Sequence, residues 1–251
     1  GWQANNDLHG LVFSSSGWTT QWSTYIEANS GGIYGWWGTD FTWNMQGTQL
    51  AYHRPDGVGL VDLEEGLFTP VLEITPLQTL ADWAWAPGLA WNSQGDRLIT
   101  VDHVASNSAE PPEKSPYFDL VSVSLDGSDK QTLVSQSGMF AYPMVSPVQA
   151  DRVSQIAFLQ ALYPTQSETS RYQVAVVDEK GNGQKILFPA GESGGLEPTQ
   201  HWGAWSPAPT PGNETWMIAV VYQGNLWLVD TSSGEAFQIT GDNLTYRVIW
   251  K

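Results

Sequence analysis

The chain has 251 residues, 41% of them hydrophobic and 14% charged; such a composition folds, and the length suits one all-β domain. Ten Lys and Arg against 26 Asp and Glu leave a net charge of −16, which excludes the phosphate-neutralising surface that nucleic-acid binding requires. The absence of cysteine excludes disulfides and thiolate chemistry, and no run of about 18 apolar residues is present to span a membrane.

Residues 10–15, 22–28 and 31–36 read as three short alternating strands. A fuller unit then begins at Phe41-Thr42-Trp43-Asn44-Met45-Gln46-Gly47, followed by apolar runs at 50–53, 59–63 and 71–74. Leu89-Ala90-Trp91-Asn92-Ser93-Gln94-Gly95 opens the next, with runs at 98–101, 119–125 and 131–134. Val145-Ser146-Pro147 and Trp205-Ser206-Pro207 open two more, with runs at 156–159, 172–178 and 184–188, then 218–221, 225–230 and 236–240. Tyr246-Arg247-Val248-Ile249-Trp250 reads as one further opening strand. Anchored on Trp43, Trp91, Val145, Trp205 and Trp250, the units are 48, 54, 60 and 45 residues apart.

Four short strands repeating at about 40–50 residues are the signature of a β-propeller blade. The reading is an all-β, five-bladed propeller of four-stranded antiparallel blades in a single domain. Blade 1 takes residues 8–37 plus 245–250; blades 2 to 5 take 40–75, 88–135, 142–188 and 202–240. Strand 246–250 joins the N-terminal strands to close the ring, which removes exposed sheet edges. Trp43, Trp91, Trp205 and Trp250 are expected to pack between blades. Asp62, Asp178 and Asp230 end third strands, where an acid hydrogen-bonds the following turn.

Ala204-Trp205-Ser206-Pro207, Ile218-Ala219-Val220, Leu226-Trp227-Leu228-Val229-Asp230, Ser233-Gly234 and Gln238-Ile239-Thr240 together resemble the WD40-like PD40 repeat of TolB-type propellers. The copies are degenerate, with the repeat's Asp-Gly step written here as Gln46-Gly47 and Gln94-Gly95. The resemblance implies an exported bacterial protein, periplasmic or at the cell surface, whose propeller docks other proteins or accompanies a catalytic domain.

The loops between blades and those between second and third strands share one face of a propeller, and here they are the long ones. Functional residues collect on long loops held by a rigid frame. These loops carry Trp36, Trp37, Trp83, Trp85, Tyr142, Tyr163, His201 and Trp202, rings that stack on sugars or anchor a partner protein. The expected function is therefore a non-catalytic binding module for a protein partner or a neutral glycan, acting as a monomer without a cofactor. The alternatives are an accessory domain of a larger enzyme, or a glycoside hydrolase whose carboxylates come from Asp40, Asp82, Asp102 and Glu197. No Gly-x-Ser-x-Gly elbow is present. His9, His53, His103 and His201 fall in different units without close pairing, so no metal site is expected.

Overall fold

In a computed structural model, described residues comprise 39–250, apart from 80–81, 108, 149–152, 192–193 and 212–214, and the strands within residues 2–26. The strands are β1 (Trp2–Ala4), β2 (Asp7–Ser14), β3 (Gly17–Ile26), β4 (Asp40–Trp43), β5 (Leu50–Arg54), β6 (Gly57–Asp62) and β7 (Leu67–Glu73). They continue as β8 (Leu89–Trp91), β9 (Arg97–Val104), β10 (Tyr117–Ser124), β11 (Lys130–Val134), β12 (Met144–Val145), β13 (Gln155–Ala161), β14 (Tyr172–Asp178) and β15 (Lys185–Phe188). The last four are β16 (Gly203–Trp205), β17 (Met217–Tyr222), β18 (Asn225–Asp230) and β19 (Ala236–Gln238). From β4 onward they form four antiparallel meanders of four strands each: β4–β7, β8–β11, β12–β15 and β16–β19. Strands β1, β2 and β3 form a separate three-stranded sheet.

The opening motif explains its own geometry. The residue after each anchor turns the first strand into the second by accepting backbone N–H groups. Asn44 Oδ1 accepts from Thr48 and Gln49, and Asn92 Oδ1 from Asp96 and Arg97. Ser146 Oγ accepts from the Gln155 amide and Ser206 Oγ from the Met217 amide. Gly47 and Gly95 sit in these turns at φ +66° and +76°, a region costly for any residue with a Cβ.

At the third strand's end, Asp62 accepts the amides of Glu64 and Glu65, Asp178 those of Lys180 and Asn182, and Asp230 those of Ser232 and Ser233. The recurrent acid is a turn staple, as its position predicts.

The inner strands β4, β8, β12 and β16 lie beside one another in that order. Both faces of each central sheet are consequently covered, and β9 is buried from Leu98 to His103. One core runs through the β4–β7, β8–β11 and β12–β15 sheets around Val58, Ile99, Leu120 and Phe158; a second joins β12–β15 to β16–β19 around Leu159, Val174, Trp205 and Ile218. Trp91 and Trp205 cross these seams. Trp91 Nε1 donates to the Thr42 carbonyl at 3.1 Å, and Trp205 Nε1 to the Met144 carbonyl at 3.1 Å. In both pairs the acceptor is the residue just before the anchor of the preceding sheet.

Two expectations are corrected. Trp43 is 39% exposed, and among the described residues no carbonyl receives its indole N–H, so it is no buried wedge. Residues 239–250 carry no strand, so 245–250 supply no closing strand. The edge of β2 assigned to that strand is taken by β1, in register Trp2↔His9. The C-terminal segment instead crosses the β17–β18 turn, held by Thr245 N–H on the Gly224 carbonyl and by Asn243 paired with Asn225. Tyr246 beyond it is 89% exposed. The expected strand at 31–36 lies outside the described residues.

Candidate functional site

The inner strands begin around a common mouth. Three residues before their anchors stand Asp40, Gly88, Tyr142 and Trp202, and most of the lining comes from here. A cavity of about 210 Å³ is bounded by Asp40, Phe41 and Thr42 of β4, His53 of β5, Gly88-Leu89, Tyr142-Pro143-Met144 and Gln200-His201. A neighbouring cavity of about 420 Å³ shares Asp40, Tyr142 and Gln200 and adds Thr39, Phe140 and the stretch Trp83-Ala84-Trp85-Ala86. Its volume falls in the range of small-ligand pockets.

The packing that places these groups is tight. A Cβ on Gly88 would lie 2.8 Å from the Tyr142 Cα, so the loops meet there only because residue 88 is glycine. Tyr142 sits at φ +40°, a left-handed conformation a bulky residue adopts only when its surroundings impose it. Its carbonyl accepts the Trp202 indole N–H at 3.0 Å, and its ring stacks on Phe140 with centroids 5.9 Å apart. Burial pushes the Tyr142 phenol up to about 12, so it stays a neutral hydroxyl in ordinary buffers.

Asp40 and His53 face each other across the register pair that joins β4 to β5. Asp40 Oδ1 accepts the Phe41 amide at 2.8 Å, and Oδ2 lies 3.9 Å from His53 Nε2. His53 is buried and its Nδ1 has no hydrogen-bond partner, one of two such atoms among the described residues. Burial lowers the His53 pKa, against the opposing pull of Asp40 and of the Pro87 carbonyl. A buried polar atom left unpaired in a native fold marks a strained or functional position.

The sequence-predicted residues divide. Asp40, Trp83, Tyr142 and His201 all reach the mouth. Trp85 touches its wall but is 2% exposed, wedged edge-on against Phe118 with its indole N–H on the Met139 carbonyl. Trp202 is 1% exposed and supports Tyr142 from behind, a correction to its reading as a contact residue. Tyr163 stands exposed on the β13–β14 connection and lines neither cavity. Trp36 and Trp37 lie outside the described residues.

Of the carboxylates, only Asp40 lines the mouth. Asp82 is exposed and lines neither cavity. Asp102 is buried against Lys130 Nζ at 2.7 Å, and Glu197 pairs with Arg171. His103 sits elsewhere, between the Thr75 and Ser115 carbonyls, and no three metal-ligating side chains gather among the described residues.

Phe140 and Gln200 are lining residues that the repeat pattern missed. Phe140 lies five residues before Val145, and Gln200 five before Trp205, so counting back from the anchors would have found both.

A groove of about 510 Å³ lies instead between the 112–116 and 165–169 loops. Two of its hydroxyls bond to backbone, Ser115 Oγ to the Val104 carbonyl and Thr169 Oγ1 to the Gln166 carbonyl. It is a seam between two loops.

No known family's sequence profile matches the chain, and no curated protein does. Among solved structures, a nidogen–laminin complex is similar at 10% identity and a TM-score of 0.50, over 92% of this chain and 71% of that one. An oligogalacturonate lyase in complex with manganese matches at 13% identity and 0.46, over 81% of this chain; the match spans only 54% of the lyase. The β-propeller domain of Myceliophteria thermophila Swd1 matches at 15% identity and 0.42, over 80% of this chain and 57% of that one. At such identities the likeness speaks for architecture alone, and the architecture is a β-propeller.

Proposed function

We propose that this propeller is a non-catalytic binding module that receives a neutral glycan or a protein partner at the mouth of its inner strands. The observation that carries the reading is the composition of the lining. Among the described residues, Trp83, Phe140 and Tyr142 converge there with a single carboxylate, Asp40. Glycoside hydrolysis requires two carboxylates, roughly 5–10 Å apart across the scissile bond. The other three candidate acids line neither cavity, two of them held in ion pairs. Rings without a second acid favour capture over cleavage.

The same reading places the protein among TolB-type propellers, exported to the periplasm or cell surface, with β1–β3 as the core of a fifth blade. The Trp-Ser-Pro and Trp-Asn openings, with their side-chain staples, support the repeat type. A crystal structure with any other number of blades overturns the count.

The functional test is tryptophan fluorescence titration against hits from a glycan array or a pull-down. Trp83→Ala should abolish binding while leaving the melt nearly unchanged. Binding that survives this substitution moves the site away from the mouth.

A further inference from the structure

Among the described residues, the larger mouth compartment carries one formal charge, and that charge is negative. Trp83, Phe140 and Tyr142 are half-buried around it, and the Asp40 side chain at its edge is 54% exposed. Among the described residues, no Lys or Arg lines either compartment. His53 Nε2, 3.9 Å from Asp40 Oδ2, belongs to a buried imidazole. Burial lowers its pKa against the opposing pull of Asp40 and the Pro87 carbonyl, which favours the neutral ring. Among the described residues, Asp40 Oδ2 thus has no partner closer than His53, and it stands beside three rings.

A neutral sugar stacks on rings but leaves the carboxylate's charge unused. An anion meets repulsion both from Asp40 and from the net charge of −16. An organic ammonium uses all three features: the negative ring faces, the carboxylate and the long-range field.

We propose that the mouth binds an alkylammonium group, with Trp83, Phe140 and Tyr142 around the cationic head and Asp40 as its counter-ion. The source is either a small quaternary amine or a lysine side chain on a basic protein. The 210 Å³ compartment, walled by Phe41, Leu89 and Met144, continues from Asp40 and Tyr142 and offers room for an apolar stem. This inference rests on the mouth being the binding site and assigns the charge of what it takes.

The test compares choline with 3,3-dimethylbutan-1-ol, its neutral isostere, by calorimetry and tryptophan fluorescence on the full chain. Peptides carrying lysine or trimethyl-lysine form a second arm. Asp40→Asn keeps the oxygen that caps the Phe41 amide and removes only the charge. Choline should bind at least tenfold more tightly than the isostere, and Asp40→Asn and Trp83→Ala should each weaken it by roughly tenfold. The effect of Asp40→Asn should shrink in high salt. A peptide preferred over choline identifies a protein partner; the reverse order identifies a small cation. Equal binding of choline and its isostere, an unchanged affinity in Asp40→Asn, or no binding of any cation overturns the proposal. Neutral glycan binding that depends on Trp83 but shows no preference for cations refutes the ammonium alone and leaves the mouth as the site. Ligand binding indifferent to Trp83→Ala removes both.

Discussion

Trp205 and Trp43 occupy equivalent positions in the repeat but different environments, and that contrast fixes a measurable difference in stability. Trp205 is 8% exposed, packs edge-to-face on Trp216 at 6.3 Å and donates its indole N–H to the Met144 carbonyl of the neighbouring sheet. Truncating a buried aromatic to alanine costs about 3–5 kcal/mol. For a chain of this size that lowers Tm by roughly 6–20 °C. Replacing Trp205 by phenylalanine keeps most of the packing but leaves the Met144 carbonyl without its donor, a loss of about 1–3 kcal/mol. Trp43 has neither the burial nor the bond, so Trp43→Phe should fall within about 0.5 kcal/mol of the unsubstituted chain. The assay is urea unfolding followed by far-UV circular dichroism, with midpoints compared only where the slope is unchanged. Equal losses for Trp43→Phe and Trp205→Phe would falsify the claim that the indole bond to the preceding sheet stabilises the seam.

Four further outcomes follow from the same structure. Removing residues 246–251 should leave the melt within about 2 °C and the oligomeric state unchanged, because the described part of this tail carries no strand and β1 already fills the edge of β2. The lowered His53 pKa makes the neutral imidazole the folded form, while the unfolded chain takes up the proton below about pH 6.5; stability should therefore fall as pH drops from 7 to 5, and His53→Asn should flatten that slope. Asp230 is held at about 2, burial being outweighed by its bonds from Ser232, Ser233 and Thr215, so its contribution is complete above about pH 4 and lost towards pH 2; Asp230→Ala should cost about 1 kcal/mol at pH 7, read as a lower Tm. Trp202→Phe leaves the Tyr142 carbonyl unpaired and should weaken ligand binding without removing any ring from the lining, a shift visible in the titration midpoint.

The blade pattern was legible because each of its signals is local. An anchor followed by Asn or Ser encodes a hairpin through side-chain bonds that span four to eleven residues. The acid closing the third strand works within the next four residues. Such signals survive in a single sequence, and third strands β14 and β18 match their expected bounds residue for residue. Ring closure is not of this kind. Tyr246–Trp250 has the alternation of a first strand, but alternation reports what a segment can do and not which edge is free. Trp2–Ala4, too short to stand out as a strand, takes that edge, with only two residues between it and β2 in sequence. A closing partner more than 230 residues away must pay the larger loop entropy for the same ladder bonds.

The mouth was half legible for a related reason. Asp40 stands three residues before the Trp43 anchor, where β4 begins, and Tyr142 on the loop that leads into β12. Exposure could not be counted in this way. Trp83, Trp85 and Trp202 look alike in sequence, yet Trp85 and Trp202 are fixed by indole bonds to the Met139 and Tyr142 carbonyls, and both are almost fully buried. Trp83 is half-buried and reaches the cavity beside Asp40. The two buried indoles are the frame that holds the 139–142 backbone, and with it the left-handed Tyr142, in a fixed position. A ring that binds needs a ring that braces it, and in this chain tryptophan fills both roles two residues apart.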